Sequence, residues 1–308
     1  EHIIQQHLIP ILGNIALVQL KPHHLQSYYA EKLVSGRRDG QGGLSPRTVR
    51  HHHVTLHDAL QSAVKWGLLA RNPADTVDAP RYQRRDMQTL DESELQVFLE
   101  AARSTPYHAL FYTLLFSGLR RSEALALRWA DVDVYLAQVS VSRSFHHLRD
   151  GRTVFRAPKT AKGRRLVALP PSAALVLRDH REKQESEMSV VAGRALAEED
   201  LVFAQPDGKP LLPDTVTHAW VKLARRTGFK VRLHDARHIH ASLLFKQNVP
   251  AKVVQERLGH ATIATTMDIY SHVAPGMQEA AALRFDEGMA QARPRESSSG
   301  VVGTPAVG

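Results

Sequence analysis

Residues 81–89, "RYQRRDMQT", are basic, polar and without any apolar period, and they interrupt a chain patterned for regular structure on either side. Such a stretch cannot contribute to a core, so the sequence is divided there. Residues 1–80 read as a small all-helical unit, 81–89 as a basic linker carrying Arg84 and Arg85, and 90–290 as a second, larger unit. The length of 308 residues fits two domains at about 150 residues each. The end, 291–308, is rich in Ser, Gly and Pro with no apolar repeat, and is expected to be disordered.

In the first unit, "LSPRTVRHHHVTLHDALQSAVKWGLLARNP" places Ser45 as an N-cap and Pro46 at the first helical position. Val49, Leu56, Leu60, Ala63 and Val64 then recur at helical spacing, and Gly67 with Asn72-Pro73 ends the element. Arg47, Arg50, His51, His52 and His53 are read as one basic surface. Consecutive histidines fan out around a helix by about 100° each and cannot converge on one ion. Only His53 and His57 are spaced to pair, so the face, with Arg47, Arg50, His51 and His52, is read as a basic, hydrogen-bonding surface for DNA or as plain solvation rather than as a metal site.

The second unit alternates helical patterns with one β-rich block, "AQVSVSRSFHHLRDGRTVFRAPKTAKGRRLVALP". Its runs at 138–145, 152–156 and 164–169, with Asp150-Gly151 as a turn signal, predict a three-stranded meander with Lys159 in or beside the second turn. Helices are expected near 172–190, 214–227, 234–246 and 250–258, and again after Pro275-Gly276. The expected class is therefore mainly α with a small three-stranded antiparallel sheet.

Lys and Arg number 40 against 31 acids, a net charge of +9 that points to a polyanionic partner. The longest apolar run, around Ala109 to Phe116, falls far short of the ~20 residues a bilayer needs, which favours nucleic acid over a membrane. The absence of cysteine excludes disulfides, zinc–thiolate fingers and cysteine nucleophiles. With no signal-peptide pattern at the start, a cytoplasmic or nucleoid location is expected. The chain opens without Met and inside a helical pattern (Ile3, Ile4, Leu8), as expected of a segment with a further module upstream.

Four stretches of the second unit carry chemistry: "SGLRRSEALALRW", "APKTAKG", "RLHDARHIHASLLF" and "LGHATIATTMDIYSHV". Each has a plain structural reading, as a helix junction, a solvated hairpin, a polar helix end and a packing aromatic. Together they supply the residue types that cut a phosphodiester without a metal. Planar guanidiniums, here Arg120 and Arg237, match nonbridging phosphate oxygens. A tyrosine nucleophile, here Tyr270, has an ordinary pKa near 10 and needs cations and a base beside it. Lys159 on a hairpin can protonate the departing 5′-oxygen, His234 can exchange a proton with the tyrosine, and His260 can hydrogen-bond a nonbridging oxygen. Glu123, three residues after Arg120, can orient a cation. His234 and His238 have the spacing of a helix-borne zinc pair, but Arg237 between them repels a cation, and no third ligand or carboxylate cluster accompanies them. A metal-dependent hydrolase is the weakest reading, no metal or cofactor is expected, and His238 is assigned to packing behind the site.

In this order the four stretches resemble the boxes of the tyrosine recombinase, or phage integrase, family: the first arginine box with Arg120 and Glu123, and the β-hairpin lysine box with Lys159. The His-x-x-Arg box follows with His234 and Arg237, then the last box with His260 and Tyr270. Ala236 stands where a larger apolar residue is common, a change of packing rather than chemistry. Residues 1–80 are similar to the family's helical core-binding domain; the arm-type DNA-binding domain that precedes it in many integrases is not in this sequence. The resemblance implies a two-domain C-shaped clamp around double-stranded DNA and a 3′-phosphotyrosyl intermediate at Tyr270. It further implies strand exchange through a Holliday junction in a tetramer, with the last helix exchanged between neighbours and accessory DNA-bending or directionality proteins as partners. Two alternatives remain at this level: a type IB topoisomerase-like nicking and closing enzyme, and a catalytically silent DNA-binding regulator.

Overall fold

In the computed structural model, which describes residues 1–37, 39–82, 88–148, 150–158, 163–270, 282–287 and 289, the chain divides into two units, Glu1–Asp86 and Met87–Gly308. The described part of the first unit is helical. An opening stretch, Ile4–Leu8, continues as α1 (Ile9–Leu12) and is followed by α2 (Pro22–Ser35) and α3 (Pro46–Lys65). α3 starts where its signals place it: Ser45 Oγ accepts from the Thr48 amide at 3.1 Å, and Pro46 occupies the first turn. Its buried face is Val49, His52, Leu56, Leu60 and Ala63, and all of these except His52 and Ala63 share an apolar cluster with Leu25, Tyr28 and Tyr29 of α2.

That face corrects one expectation. His52 does not lie on the exposed surface with Arg47, Arg50 and His51; it is 0% exposed. The reason is periodicity: three residues after Val49 and four before Leu56, position 52 falls on the apolar stripe. The core accommodates the ring through a hydrogen bond with the Tyr28 hydroxyl, 2.8 Å from Nδ1, and a ring contact to His7 at 4.9 Å. The next pair repeats the device, with the Tyr29 hydroxyl 3.0 Å from His53 Nδ1. Two adjacent Tyr–His bonds thus join α2 to α3. Arg84 and Arg85 lie outside the described residues.

The second unit begins with α4 (Glu92–Arg103), α5 (His108–Ser117) and the short α6 (Arg121–Ala124). At the start of α4 the Asp91 carboxylate accepts from the Glu94 amide at 2.8 Å while the Glu94 carboxylate accepts from the Asp91 amide at 2.9 Å. α5 is apolar nearly all round, as a central helix must be, and packs against α4, α7 (Pro171–Ala192) and α9 (Asp235–Lys246). Trp220 of α8 (Pro213–Arg226) closes the core between Phe98 and Phe111, with ring centroids 4.6 and 5.1 Å apart, and its indole N–H donates to Val231 O at 3.0 Å. α10 (Ala251–Leu258) and α11 (Ile263–Tyr270) pack on α9 through Ala241, Phe245, Val254, Leu258 and Ile269. Beyond them residues 282–287 are helical, whereas 291–308 lie outside the described residues.

The small sheet is antiparallel, with order β1 (Val132–Asp133), β2 (Gln138–Val141), β5 (Arg165–Ala168); Val139 pairs with both Val132 and Val167. It is not the predicted meander. The block 138–145 is broken at residues 142–143, and β3 (Ser144–His147) pairs instead with β4 (Thr153–Arg156) in a separate hairpin closed by the Asp150-Gly151 turn. Arg143 accounts for the break: its guanidinium donates to Ala126 O at 2.9 Å, which ties the chain to the segment after α6. Among the described residues no helix is long and apolar enough to cross a membrane.

Candidate active site

Gly118 ends α5 in the left-handed conformation, φ 67°, and a Cβ there would meet His240 Cδ2 and Leu258 Cδ2 at 2.7 Å each. The chain can therefore leave α5 directly between α9 and α10. Two residues later Arg120 caps α6, donating its amide to Glu123 Oε2 at 2.9 Å and Nη1 to Glu123 Oε1 at 2.7 Å. Its Nη2 reaches Gly259 O at 3.4 Å, and 40% of the side chain stays exposed.

Arg237 approaches the same turn from α9. It donates Nη1 to Gly118 O at 2.7 Å and Nη2 to Leu258 O, so it joins the C-terminal ends of α5 and α10. Burial, followed by the charge of Arg120, pushes its guanidinium down to about 9, so it still carries its charge at neutral pH. Glu123 is buried. Burial alone would push its carboxyl up, but hydrogen bonds and charge from Arg165, with those of Arg120, outweigh it and hold the group below its ordinary range.

His260 follows Gly259, which ends α10 at φ 66°. Only 8% exposed, His260 shares a hydrogen bond between Nδ1 and the Thr266 hydroxyl at 2.8 Å. Burial first, then Arg237 and Arg120, push the imidazole down to about 4, leaving it neutral at pH 7. His234 caps α9 and is held below its usual value by burial and Arg237. His238 stands edge-to-face with it at 5.2 Å, and among the described residues its own buried Nδ1 has no hydrogen-bond partner. Among the described residues no three His, Asp or Glu side chains are grouped to hold a metal ion.

The structure thus brings Arg120, Glu123, Arg237 and His260 together around the Gly118 and Gly259 turns, with His234 at the adjoining helix start. Tyr270 closes α11, four residues after Thr266; its side chain is not among those described. Lys159 lies outside the described residues, between β4 and β5.

Three further side chains belong to the arrangement and were not singled out from sequence. Arg165, at the start of β5, donates to both Glu123 oxygens, at 3.2 Å to Oε1 and 2.8 Å to Oε2. Arg257 donates Nε to His240 Nε2 at 2.9 Å and Nη2 to Phe116 O at 3.0 Å. Because Nε2 accepts, the proton of neutral His240 is on Nδ1, which donates to Leu115 O at 2.9 Å. Burial, then Arg257, push His240 down to about 3, so the ring stays neutral while its two partners fix that tautomer. The only sequence signals were the Arg pair in "KGRRL" and a charged residue in the last turn of α10.

A guanidinium-lined, partly open site of this kind on a helical domain with a small sheet is suited to an anionic ester. The family model described as the phage integrase family matches residues 88–277. The chain is 30% identical over 273 residues to a tyrosine recombinase XerC-like protein of Caldanaerobacter subterraneus subsp. tengcongensis, covering 83% of this chain and 68% of that protein. It is 31% identical over 248 residues to the ICEBs1 integrase of Bacillus subtilis, covering 80% and 67%. Among solved structures, the Tn1549 transposon integrase in complex with circular intermediate DNA shares the fold with a TM-score of 0.73 at 17% identity, over 88% of this chain and 87% of that one. The chain belongs to the phage integrase family, the tyrosine recombinases, and its activity is that class's activity, site-specific recombination.

Proposed function

We propose that this chain cuts and rejoins double-stranded DNA through a covalent tyrosine ester, using the residues gathered around the Gly118 and Gly259 turns. The observation that carries this reading is the pair of guanidiniums: Arg237, held rigidly by two main-chain carbonyls, beside Arg120, part of which faces solvent. Planar donors fixed in advance stabilise charge on nonbridging oxygens as it develops, usually the largest single contribution to such a reaction.

Tyr270 Oη attacks phosphorus, its proton passing to His234, which is neutral at pH 7 and able to accept it. The P–O bond to the 5′-oxygen breaks, and Lys159 supplies the proton that makes a 5′-hydroxyl. The DNA 3′ end remains as a phosphotyrosyl ester. His260 is oriented by Thr266: when the hydroxyl donates into Nδ1, Nε2 carries the N–H and donates it to a nonbridging oxygen. A phenolate is a competent leaving group, so a 5′-hydroxyl from another strand can reverse the step without an external energy source. No metal or cofactor enters.

The two units act as a C-shaped clamp on the duplex, with residues 1–80 as the core-binding domain and Arg47, Arg50 and His51 on its DNA face. Arg84 and Arg85, in the basic linker, bind the DNA as well. A tetramer on two sites exchanges strands through a Holliday junction, with the helix that includes residues 282–287 docked on a neighbour, in the bacterial cytoplasm and with DNA-bending or directionality proteins as helpers. Two plasmids carrying sites that the protein selects from random duplexes test this. Recombinants between specific partner sites are expected; relaxation with no recombinants under any pairing would assign the chain to nicking and closing instead.

A further inference from the structure

Of the two arginines that bond the Glu123 carboxylate, Arg165 is the less exposed, with 7% of its side chain accessible. All three of its nitrogens are occupied by neighbours. Nε donates to Arg257 O at 2.8 Å, Nη1 to Glu123 Oε1 and to Gly163 O at 3.4 Å, and Nη2 to Glu123 Oε2. Arg120, by contrast, shares the same carboxylate while 40% of its side chain faces solvent. The guanidinium of Arg165 also underlies the Gly259 turn: a Cβ on Gly259 would come within 3.0 Å of Nη1 and 3.1 Å of Cδ. Its own strand begins two residues after Gly163, the first described residue past the 159–162 segment that includes Lys159.

We infer that Arg165 is a positioning residue for strand cleavage: by engaging Glu123 through two nitrogens and supporting the Gly259 turn, it sets Arg120 and His260 for the phosphate without touching the phosphate itself. The inference rests on the cleavage reading above. One carboxylate shared by two guanidiniums cannot close a full two-pronged pair on Arg120 while Arg165 holds it. Removing Arg165 leaves the Glu123 carboxylate anchored by Arg120 alone and free to shift, so it no longer fixes Arg120 in place for the phosphate. The turn before His260 loses its support in the same step.

The charged groups facing Glu123 are Arg120 from the cap of α6, Arg165 from β5 and Arg237 from α9, with His260 next to all three arginines. Without Arg165, burial pushes the Glu123 carboxyl up. Cleavage then acquires an acid limb at higher pH than in the parent chain. A purely structural role lowers the yield of folded protein and moves no such limb.

The test uses the 308-residue chain and a nicked duplex bearing the sequence it selects from random duplexes. Single-turnover formation of the covalent adduct is followed against pH, and affinity for the unnicked duplex is measured alongside. Arg165→Met is expected to slow adduct formation by about 10²-fold, the effect of a displacement of about 1 Å. Its affinity should stay unchanged and its acid limb should move up in pH; adding Glu123→Gln should abolish that limb. Arg165→Lys, which keeps the charge and folds more readily, should fall between parent and Met, because an ammonium lacks the fork. A parent rate and pH profile in Arg165→Met overturns the inference, and so does a loss of affinity as large as the loss of rate, which would make Arg165 a direct phosphate contact. Failure of the parent chain to form any Tyr270-dependent adduct overturns the cleavage reading instead, and is visible before the variants are compared.

Discussion

His52 in the first unit and His260 in the second are both buried and both pushed down to about 4, yet they are built into opposite surroundings. Burial is the leading cause in each. Beside His52 the remaining charges are other histidines and Lys32, and the ring is met by a tyrosine hydroxyl and the ring of His7. Beside His260 stand the guanidinium cations of Arg237, Arg120 and Arg165. Gathering like charges in a low-dielectric place costs stability, and such an arrangement is tolerated where an anion completes it. A depressed histidine alone is therefore no mark of a site; its neighbours are.

The largest effect that sharpens this contrast is expected from Arg237→Lys. The charge remains but the two fixed carbonyl bonds and the planar fork do not, and adduct formation should fall by about 10²–10³-fold in a single-turnover assay. Exchanging the two histidines for alanine comes next. His260→Ala should slow adduct formation by about 10²-fold, with a smaller shift in the urea-unfolding midpoint than His52→Ala. His52→Ala should leave the rate per folded molecule intact and lower stability by about 1–3 kcal/mol, because the buried Tyr28 hydroxyl loses its partner. The reverse pattern would erase the distinction between the two regions.

Acid should separate them further. The folded-state value of His52, about 4, lies below its ordinary 6.5, so between those values the unfolded chain binds the proton more tightly. Its contribution to stability is full above pH 6.5 and declines as pH falls toward 4. Urea midpoints on either side of 6.5 should therefore show a smaller pH dependence in His52→Ala than in the parent. The smallest effect is expected at the exposed part of α3. Arg50→Gln should leave stability within about 0.5 kcal/mol and, if Arg50 meets a phosphate, reduce the slope of log affinity against log salt by about 0.9.

Local chemistry made much of this fold readable from sequence. Ser45-Pro46 starts α3 and Gly118 ends α5 because caps and left-handed turns depend on single residue types. The grouping of Arg120, Arg237 and His260 was expected from the order of their boxes, and the four helices from 171 to 258 from their apolar period. Legibility fails where a partner is remote. Arg165 and Glu123 are 42 positions apart and Arg257 and Phe116 are 141 apart, and no periodicity links such pairs. The sheet was misread for the same reason: Arg143 leaves its strand for Ala126 O, a contact invisible in a run of β-formers. His52 differs in kind, since Val49 and Leu56 already placed it on the buried stripe and the run of three histidines obscured that.

The central claim is that Tyr270 forms the covalent bond to DNA at a site of arginines and histidines that works without a metal. Incubating the 308-residue chain with the nicked duplex in EDTA tests it most directly. A protein–DNA adduct that resists denaturation and is abolished by Tyr270→Phe is the predicted result. An adduct that persists in Tyr270→Phe, or one that disappears with EDTA, would contradict it.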